Sequence, residues 1–289
     1  MSAWSVSLRL LHIYPKKLAS ALAGWVASWH LPKIIRVSVL RRFASSFGVN
    51  LDEAEKKLED YESLQEFFTR RLKPGARPQD KMVPGAINSP VDGRLIAQGR
   101  ILDGTLIQAK GLSYSLNELL KNTPGPERFE GGHFLTLYLS PKDYHRIHVP
   151  LEGVAQAVAR VEGELWPVND PSVKRVPRLY ERNRRTAWIA KGRGADEGLM
   201  VACVLVGATH VGGCILDERW LEGRDLPKDG GFDVSDLQCA PGDDLGLFRF
   251  GSTVVLLIGE SNSGSRADSW QTIRQEGAVR VGQRLGEFK

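Results

Sequence analysis

Beyond Pro78 the chain sustains no helical period. Short apolar runs bounded by Gly, Pro, Asp and Asn take over and continue toward the carboxy terminus, a pattern of strands joined by turns. The runs are Arg94–Gln98, Leu106–Lys110, Phe134–Leu139, Val154–Val161, Leu199–Val206, His210–Ile215, Leu247–Phe250 and Val254–Ile258. They predict a mainly antiparallel β body, a sandwich or partly closed barrel. Ahead of it, apolar side chains recur at three- and four-residue steps from Leu51 through Leu58 and Phe68 to Leu72. That spacing predicts a charged amphipathic helix, stopped by Lys73-Pro74-Gly75. The fold class is therefore α+β, with N-terminal amphipathic helices over residues 1–78 and a β-rich domain over 79–289. Asp217 to Asp244 carries nine acidic residues against three basic and little hydrophobic period, which reads as a surface loop. With 42% hydrophobic residues the chain can bury a core, so wholesale disorder is excluded.

The formal net charge of +5 is unevenly spread. Residues 1–50 hold Arg9, Lys16, Lys17, Lys33, Arg36, Arg41 and Arg42 and no acid, so the rest of the chain sums to −2. The same segment contains Trp4, Trp25 and Trp29. Its longest uncharged stretch, Leu18 to Pro32, is fifteen residues, short of the roughly 20 that a bilayer span needs. The segment is expected to lie on an anionic membrane surface: basic side chains contribute about 1 kcal/mol each, and buried Trp and Leu add a hydrophobic term. A helix packed on its own domain, a cleaved transit peptide and a nucleic-acid patch compete with that reading. No motif for RNA or DNA binding is present, so nucleic acid is not expected as a partner. Cys203, Cys214 and Cys239 form no CxxC pair; they suggest neither a disulfide framework nor a zinc ribbon, and fit a reducing compartment.

Three short segments carry candidate chemistry. In Gly251-Ser252-Thr253 a serine follows a glycine between two apolar runs. That arrangement is also how a tight turn or bulge reads. The chemical alternative is attack of the Ser252 hydroxyl on the preceding carbonyl, and a glycine tolerates the backbone strain this needs. His145 and His148, in Asp143-Tyr144-His145-Arg146-Ile147-His148, would point to opposite faces of an extended strand. As a zinc pair they lack a partner motif, and no metal is expected. Asp92 sits in the Pro90-Val91-Asp92-Gly93 turn, where carboxylates usually bond their own backbone. Taken together, Asp92, a histidine and Ser252 form an acid, base and nucleophile set, and such sets occur in several chain orders.

In order along the chain, Phe67-Phe68-Thr69-Arg70-Arg71-Leu72-Lys73-Pro74-Gly75-Ala76-Arg77-Pro78, the turn at Asp92, Tyr144-His145-Arg146-Ile147-His148 and Gly251-Ser252-Thr253 resemble the signature of phosphatidylserine decarboxylase proenzymes. Four ordered blocks are far more specific than any one of them. The resemblance implies that Asp92 orients His148, that His148 deprotonates Ser252, and that the chain is cut between Gly251 and Ser252. It implies that Ser252 becomes a covalent pyruvoyl group and that His145 serves the decarboxylation stage. Residues 79–289 would then be the catalytic domain. The chain departs from the family's pattern in having Phe250 where leucine is usual, and Asn183-Arg184-Arg185 where Asn-Glu-Arg is common.

Such chemistry needs an electron sink, because no ordinary side chain accepts the pair left when carbon dioxide departs. The implied reaction is conversion of phosphatidylserine to phosphatidylethanolamine through a Schiff base to that pyruvoyl group. The basic stretch Lys174, Arg175, Arg178, Arg182, Arg184 and Arg185 reads as a solvated loop or as a contact for the lipid phosphate or the bilayer. Expected partners are phosphatidylserine, an anionic membrane surface and the two cleavage products associated with each other; a homodimer is also admitted. The expected location is peripheral, on the cytoplasmic side of the cell membrane. An uncut Ser/His/Asp lipid hydrolase and a non-catalytic lipid-binding module are the rival readings.

Overall fold

The computed structural model describes residues 16–109, 111–209, 214–249, 252–260 and 269–288. Two helices come first, α1 (Lys16–Ala27) and α2 (Lys33–Phe47), followed by a short α3 (Leu64–Phe68). The strands then run β1 (Ala86–Asn88), β2 (Gly93–Arg100), β3 (Thr105–Ala109), β4 (Leu112–Ser115), β5 (His133–Leu139) and β6 (Arg146–His148). They continue as β7 (Gly153–Val161), β8 (Arg185–Gly192), β9 (Leu199–Val206), β10 (Cys214–Leu216), β11 (Gly230–Asp233) and β12 (Gln238–Cys239). The last five are β13 (Asp244–Phe248), β14 (Ser252–Glu260), β15 (Trp270–Thr272), β16 (Gly277–Val279) and β17 (Arg284–Phe288). Each apolar run expected beyond Pro78 overlaps a strand, with Lys110, His210 to Gly213 and Phe250 outside the described residues.

The main sheet is antiparallel, in the order β11-β7-β8-β9-β14-β5-β2-β16, with β12 also on β7. Its central strands are buried on both faces, which explains why β9 reads Leu-Met-Val-Ala-Cys-Val-Leu-Val with no polar alternation. Val201, Cys203, Leu205, Val254 and Leu256 face one core, and Ala202, Val204, Val206, Val255 and Leu257 face the other. The first core is closed by a smaller sheet, β10-β13-β6, through Ile147, Leu216, Leu245 and Phe248. That stacking has sandwich character. The expected barrel is not formed: among the described residues the sheet ends at β11 and β16, which do not pair with each other.

Two further expectations are corrected. Residues 50–72 are not one helix. The Asn50 side chain accepts the Asp52 N–H, a 3-10 turn spans Leu58–Asp60, and Ser63 caps α3 by accepting the Glu66 N–H at 3.1 Å. Leu72 then bridges back to Ala54. Asn and Ser side chains offered the backbone local partners that a continuous helix cannot use, and Tyr61 and Phe67 still reach one small core with Leu40 and Ala44 of α2. Nor is Asp217–Asp244 a structureless loop. Trp220 is fully buried, packs edge-on against Trp188 at 5.4 Å and donates its indole N–H to the Asp244 carbonyl at 3.0 Å. β11 and β12 of the same segment pair with β7.

Candidate active site

Strand register brings the candidate residues to one end of the sheet. Ser252 opens β14 and pairs with Leu139, the last residue of β5. On the other side of β5, Arg94 pairs with Tyr138, which sets Gly93 beside Leu139. A Cβ at Gly93 would lie 2.3 Å from the Tyr138 carbonyl oxygen, so glycine lets the Asp92 turn close onto β5. Two inter-strand gaps of about 4.8 Å separate the Asp92–Gly93 turn from Ser252. The chain leaving β5 turns directly into the histidine segment. There the His148 N–H donates to the Pro90 carbonyl at 2.8 Å, and the Phe248 N–H donates to the His145 carbonyl at 2.9 Å.

His145 is fully buried and the His148 side chain is 14% exposed; burial disfavours the charged form of both. His148 sits against the Gly242 carbonyl, 2.8 Å from Nδ1, so Nδ1 carries the proton and Nε2 is the basic nitrogen. Nε2 accepts from the Tyr144 hydroxyl at 3.1 Å. Burial pushes the His148 pKa down, against the Gly242 carbonyl and the nearby Asp244 and Asp92 charges, which raise it. His145 donates from Nδ1 to the Asp143 carbonyl at 2.8 Å, and its ring lies 3.9 Å from that of Phe68. Burial drives its pKa down to about 3. Its Nε2 and the Ser252 hydroxyl are both buried without a hydrogen-bond partner among the described residues. Buried polar atoms are rarely left so.

Asp92 is engaged elsewhere than with His148. It accepts a forked pair from Arg77, at 2.9 Å from Nε and 2.6 Å from Nη2, and the Val281 N–H at 2.9 Å. Arg77 also donates to Glu53 at 2.7 Å. Burial would lower the Arg77 pKa, but the two carboxylates outweigh it and raise it. Beside His148 stands Asp244, its Oδ1 3.7 Å from Nδ1. Burial would raise the Asp244 carboxyl, yet Arg146 at 3.1 Å and Arg71 at 3.0 Å hold it below the usual carboxylate range. Arg77, Tyr144, Gly242 and Asp244 were not singled out as site residues. Arg77 and Tyr144 lie inside the quoted motif blocks, whereas a backbone carbonyl such as that of Gly242 leaves no signature in sequence.

The Arg77 pairing carries a stability prediction. The Arg77 and Asp92 side chains are 11% and 9% exposed, and removing one partner of a buried pair leaves the other charge uncompensated. Arg77→Met is expected to cost about 3 kcal/mol in urea unfolding at neutral pH. Glu53 has its pKa lowered, first by the Arg77 hydrogen bond, so its share of stability is present above the unfolded carboxylate pKa and lost as pH falls through the folded value. The deficit of the variant should therefore shrink in acid. An unchanged urea midpoint would refute the pairing.

The basic stretch is not a uniform surface. Lys174, Arg175 and Arg178 are exposed, and Arg178 pairs with Glu181. Arg182 meets Glu164 at 3.0 Å and lies over the Trp166 ring, and Arg184 meets Glu162 at 3.0 Å. Arg185 is 2% exposed and donates to the Leu119 and Asn183 carbonyls, which corrects the solvated-loop expectation for that residue. Among the described residues no group of three or more His, Cys, Asp or Glu could hold a metal ion.

Comparison with known proteins adds to this geometry. The family model for phosphatidylserine decarboxylase matches residues 64–287. Proteins named phosphatidylserine decarboxylase proenzyme from Myxococcus xanthus and Pseudomonas putida are 36% and 38% identical to the chain. The first alignment covers 96% of this chain and 97% of the relative, the second 96% and 95%. The chain belongs to the phosphatidylserine decarboxylase family. The family match begins at α3 and so takes in Arg77, the Asp92 turn, both histidines and Ser252.

Proposed function

We propose that this chain decarboxylates phosphatidylserine to phosphatidylethanolamine, as a carbon–carbon lyase, with a pyruvoyl group that it makes from Ser252. The observation that carries the reading is the Ser252 hydroxyl, fully buried and without a partner among the described residues, at the first residue of a central strand. In self-cleavage the Ser252 oxygen bonds to the Gly251 carbonyl carbon as the peptide C–N bond breaks. Elimination of the resulting ester and hydrolysis with loss of ammonia leave a ketone at the new terminus. His148, neutral and basic at Nε2, takes the hydroxyl proton as the Tyr144 hydroxyl that now bonds this nitrogen turns aside; the Asp92 charge favours the imidazolium so formed.

The pyruvoyl carbonyl supplies the electron sink that the side chains lack. The chain's own residues handle the protons. His145 cannot donate from Nε2 as it stands, because its single ring proton is committed to Asp143. A substrate carboxylate beside the ring would raise its pKa, so that His145 takes up a proton as substrate binds and delivers it to the α-carbon after carbon dioxide leaves. Intact-mass measurement tests the reading: fragments 1–251 and 252–289 are expected, the smaller one blocked to amine-reactive reagents. A single full-length mass from active protein would overturn it.

In this reading residues 1–78 form the membrane-associating region, residues 79–289 the catalytic domain, and the enzyme works peripherally at the cytoplasmic face of the cell membrane. Support comes from α1 and α2, where Leu18, Leu22, Trp25 and Ile34 are 69%, 55%, 58% and 85% exposed on a segment rich in cations and free of acids. No helix among the described residues is long and apolar enough to cross a membrane. Leu22→Asp with Ile34→Asp should weaken sedimentation with anionic vesicles at least tenfold while self-cleavage proceeds. Undiminished sedimentation would refute the surface.

A further inference from the structure

A pocket of about 230 Å³ lined by arginines reaches Gly207, the residue opposite Ser252 on the side of β14 away from Asp92. Its floor is the main sheet. Arg160 of β7 pairs with Thr186 of β8, Thr186 with Leu205 of β9, and Leu205 with Val254 of β14, so these side chains share one face. Leu205 and Val254 belong to the core between the two sheets, and by the two-residue period Ser252 projects into that same space. In the next row Gly207 lies opposite Ser252, because Thr253 pairs with Val206, and the Gly207 N–H donates to the Arg184 carbonyl at 2.9 Å. Gly207 has no side chain to fill the gap between Ser252 and Arg184. The smaller sheet supplies the opposite wall, through Cys214 of β10 and Arg249 just after β13.

Charge in the pocket is lopsided. Glu162 is the one acid on its lining and is held by Arg184 at 3.0 Å. Arg185 spends its guanidinium on backbone carbonyls. Among the described residues Arg160 makes one long contact, with the Leu226 carbonyl at 3.4 Å, and meets no carboxylate. Arg249 has its Nε buried without a partner among the described residues. Among the described residues neither Arg160 nor Arg249 meets a carboxylate.

We propose that Arg160 and Arg249, backed by Arg184, bind the phosphodiester of the lipid headgroup and so select phosphorylated substrates. This rests on the function proposed above. The nitrogen of a serine phosphodiester lies four bonds of about 1.5 Å each from its phosphorus. Gly207 and Arg184 are one and two inter-strand gaps of about 4.8 Å from Ser252 and Arg160 is three, so an amine held at Ser252 leaves its phosphate at Gly207, in the pocket that Arg160, Arg184 and Arg249 line together. The substrate carboxylate is the poorer occupant. A cation gripping it would stabilise the ground state and lose that interaction as neutral carbon dioxide forms, which slows the reaction. A phosphodiester keeps its charge throughout, so gripping it costs the chemical step nothing.

The test compares short-chain phosphatidylserine with O-decyl serine, which keeps the amine and carboxylate and lacks the phosphate, using matured full-length protein. Arg160→Gln with Arg249→Gln should raise KM for the phospholipid roughly tenfold to a hundredfold, the range for a lost charge-assisted hydrogen bond. The fall in kcat should be smaller, and the preference for phospholipid over O-decyl serine should fall by at least tenfold. Lysine at both positions should restore part of the preference. In the wild type, inorganic phosphate should compete with the phospholipid; phosphate that binds without competing marks a separate free-phosphate site and overturns the proposal. An unchanged KM, an equal loss on both substrates, or variants that accumulate uncut chain also overturn it, the last because the arginines would then serve cleavage. A wild-type chain that is never cut would instead refute the function on which the proposal rests.

Discussion

Ser252→Ala is expected to accumulate as one uncut chain without measurable decarboxylase activity, a loss of at least ~10⁶-fold, since enzymatic accelerations start near that value and the electron sink is never made. The loss should be chemical and not structural. The Ser252 hydroxyl has no hydrogen-bond partner among the described residues, so its removal deletes a buried polar atom that they leave unsatisfied, which is neutral or stabilising. Alanine keeps the backbone of β14 and its register with β5 and β9. Urea unfolding should therefore give a midpoint no lower than that of a cut-resistant control. Product formation by the alanine chain, or its scission at residue 251, would refute the assignment.

His145→Gln should behave in the opposite way, cutting normally and turning over slowly. The histidine carbonyl that pairs with Phe248 is backbone and survives the substitution, so the approach of β13 to β6 is retained. What is lost is a neutral imidazole whose Nε2 lone pair has no partner among the described residues, and general acid–base help of this kind contributes typically 10²- to 10⁴-fold. A kcat within about threefold of wild type would remove His145 from the chemistry. Failure to cut would move it to the maturation step instead.

How much was readable in advance depended on whether the decisive interaction left a trace in residue order. β9 and β14 were legible because burial on both faces writes an unbroken apolar run. The helix expected over residues 50–72 was not, because a three- and four-residue spacing of Leu58, Tyr61 and Phe68 is compatible with several short turns, and the local bonds of Asn50 and Ser63 decide between them. Barrel closure could not be read at all, since it depends on whether two edge strands meet. Around the site, Asp92, His145, His148 and Ser252 stood out through four ordered blocks, and their roles are inferences that the experiments above address. The bonds that hold them did not stand out. Arg77 reaches Asp92 across fifteen residues, and His148 leans on a main-chain oxygen ninety-four residues away. Arg185 shows the same limit from the other side: composition assigns a cation to water, and the fold turned this one inward onto carbonyls.

The position of β14 governs what the proposed scission would do to the molecule. The strand that begins at Ser252 is flanked by β9 and β5, matched to eight residues of one and seven of the other, while β16 and β17, further along the same carboxy-terminal piece, clasp β2 and β1. A break ahead of Ser252 therefore severs the polymer without opening a seam. The short piece would stay woven through the long one, and to part them the whole sheet would have to melt.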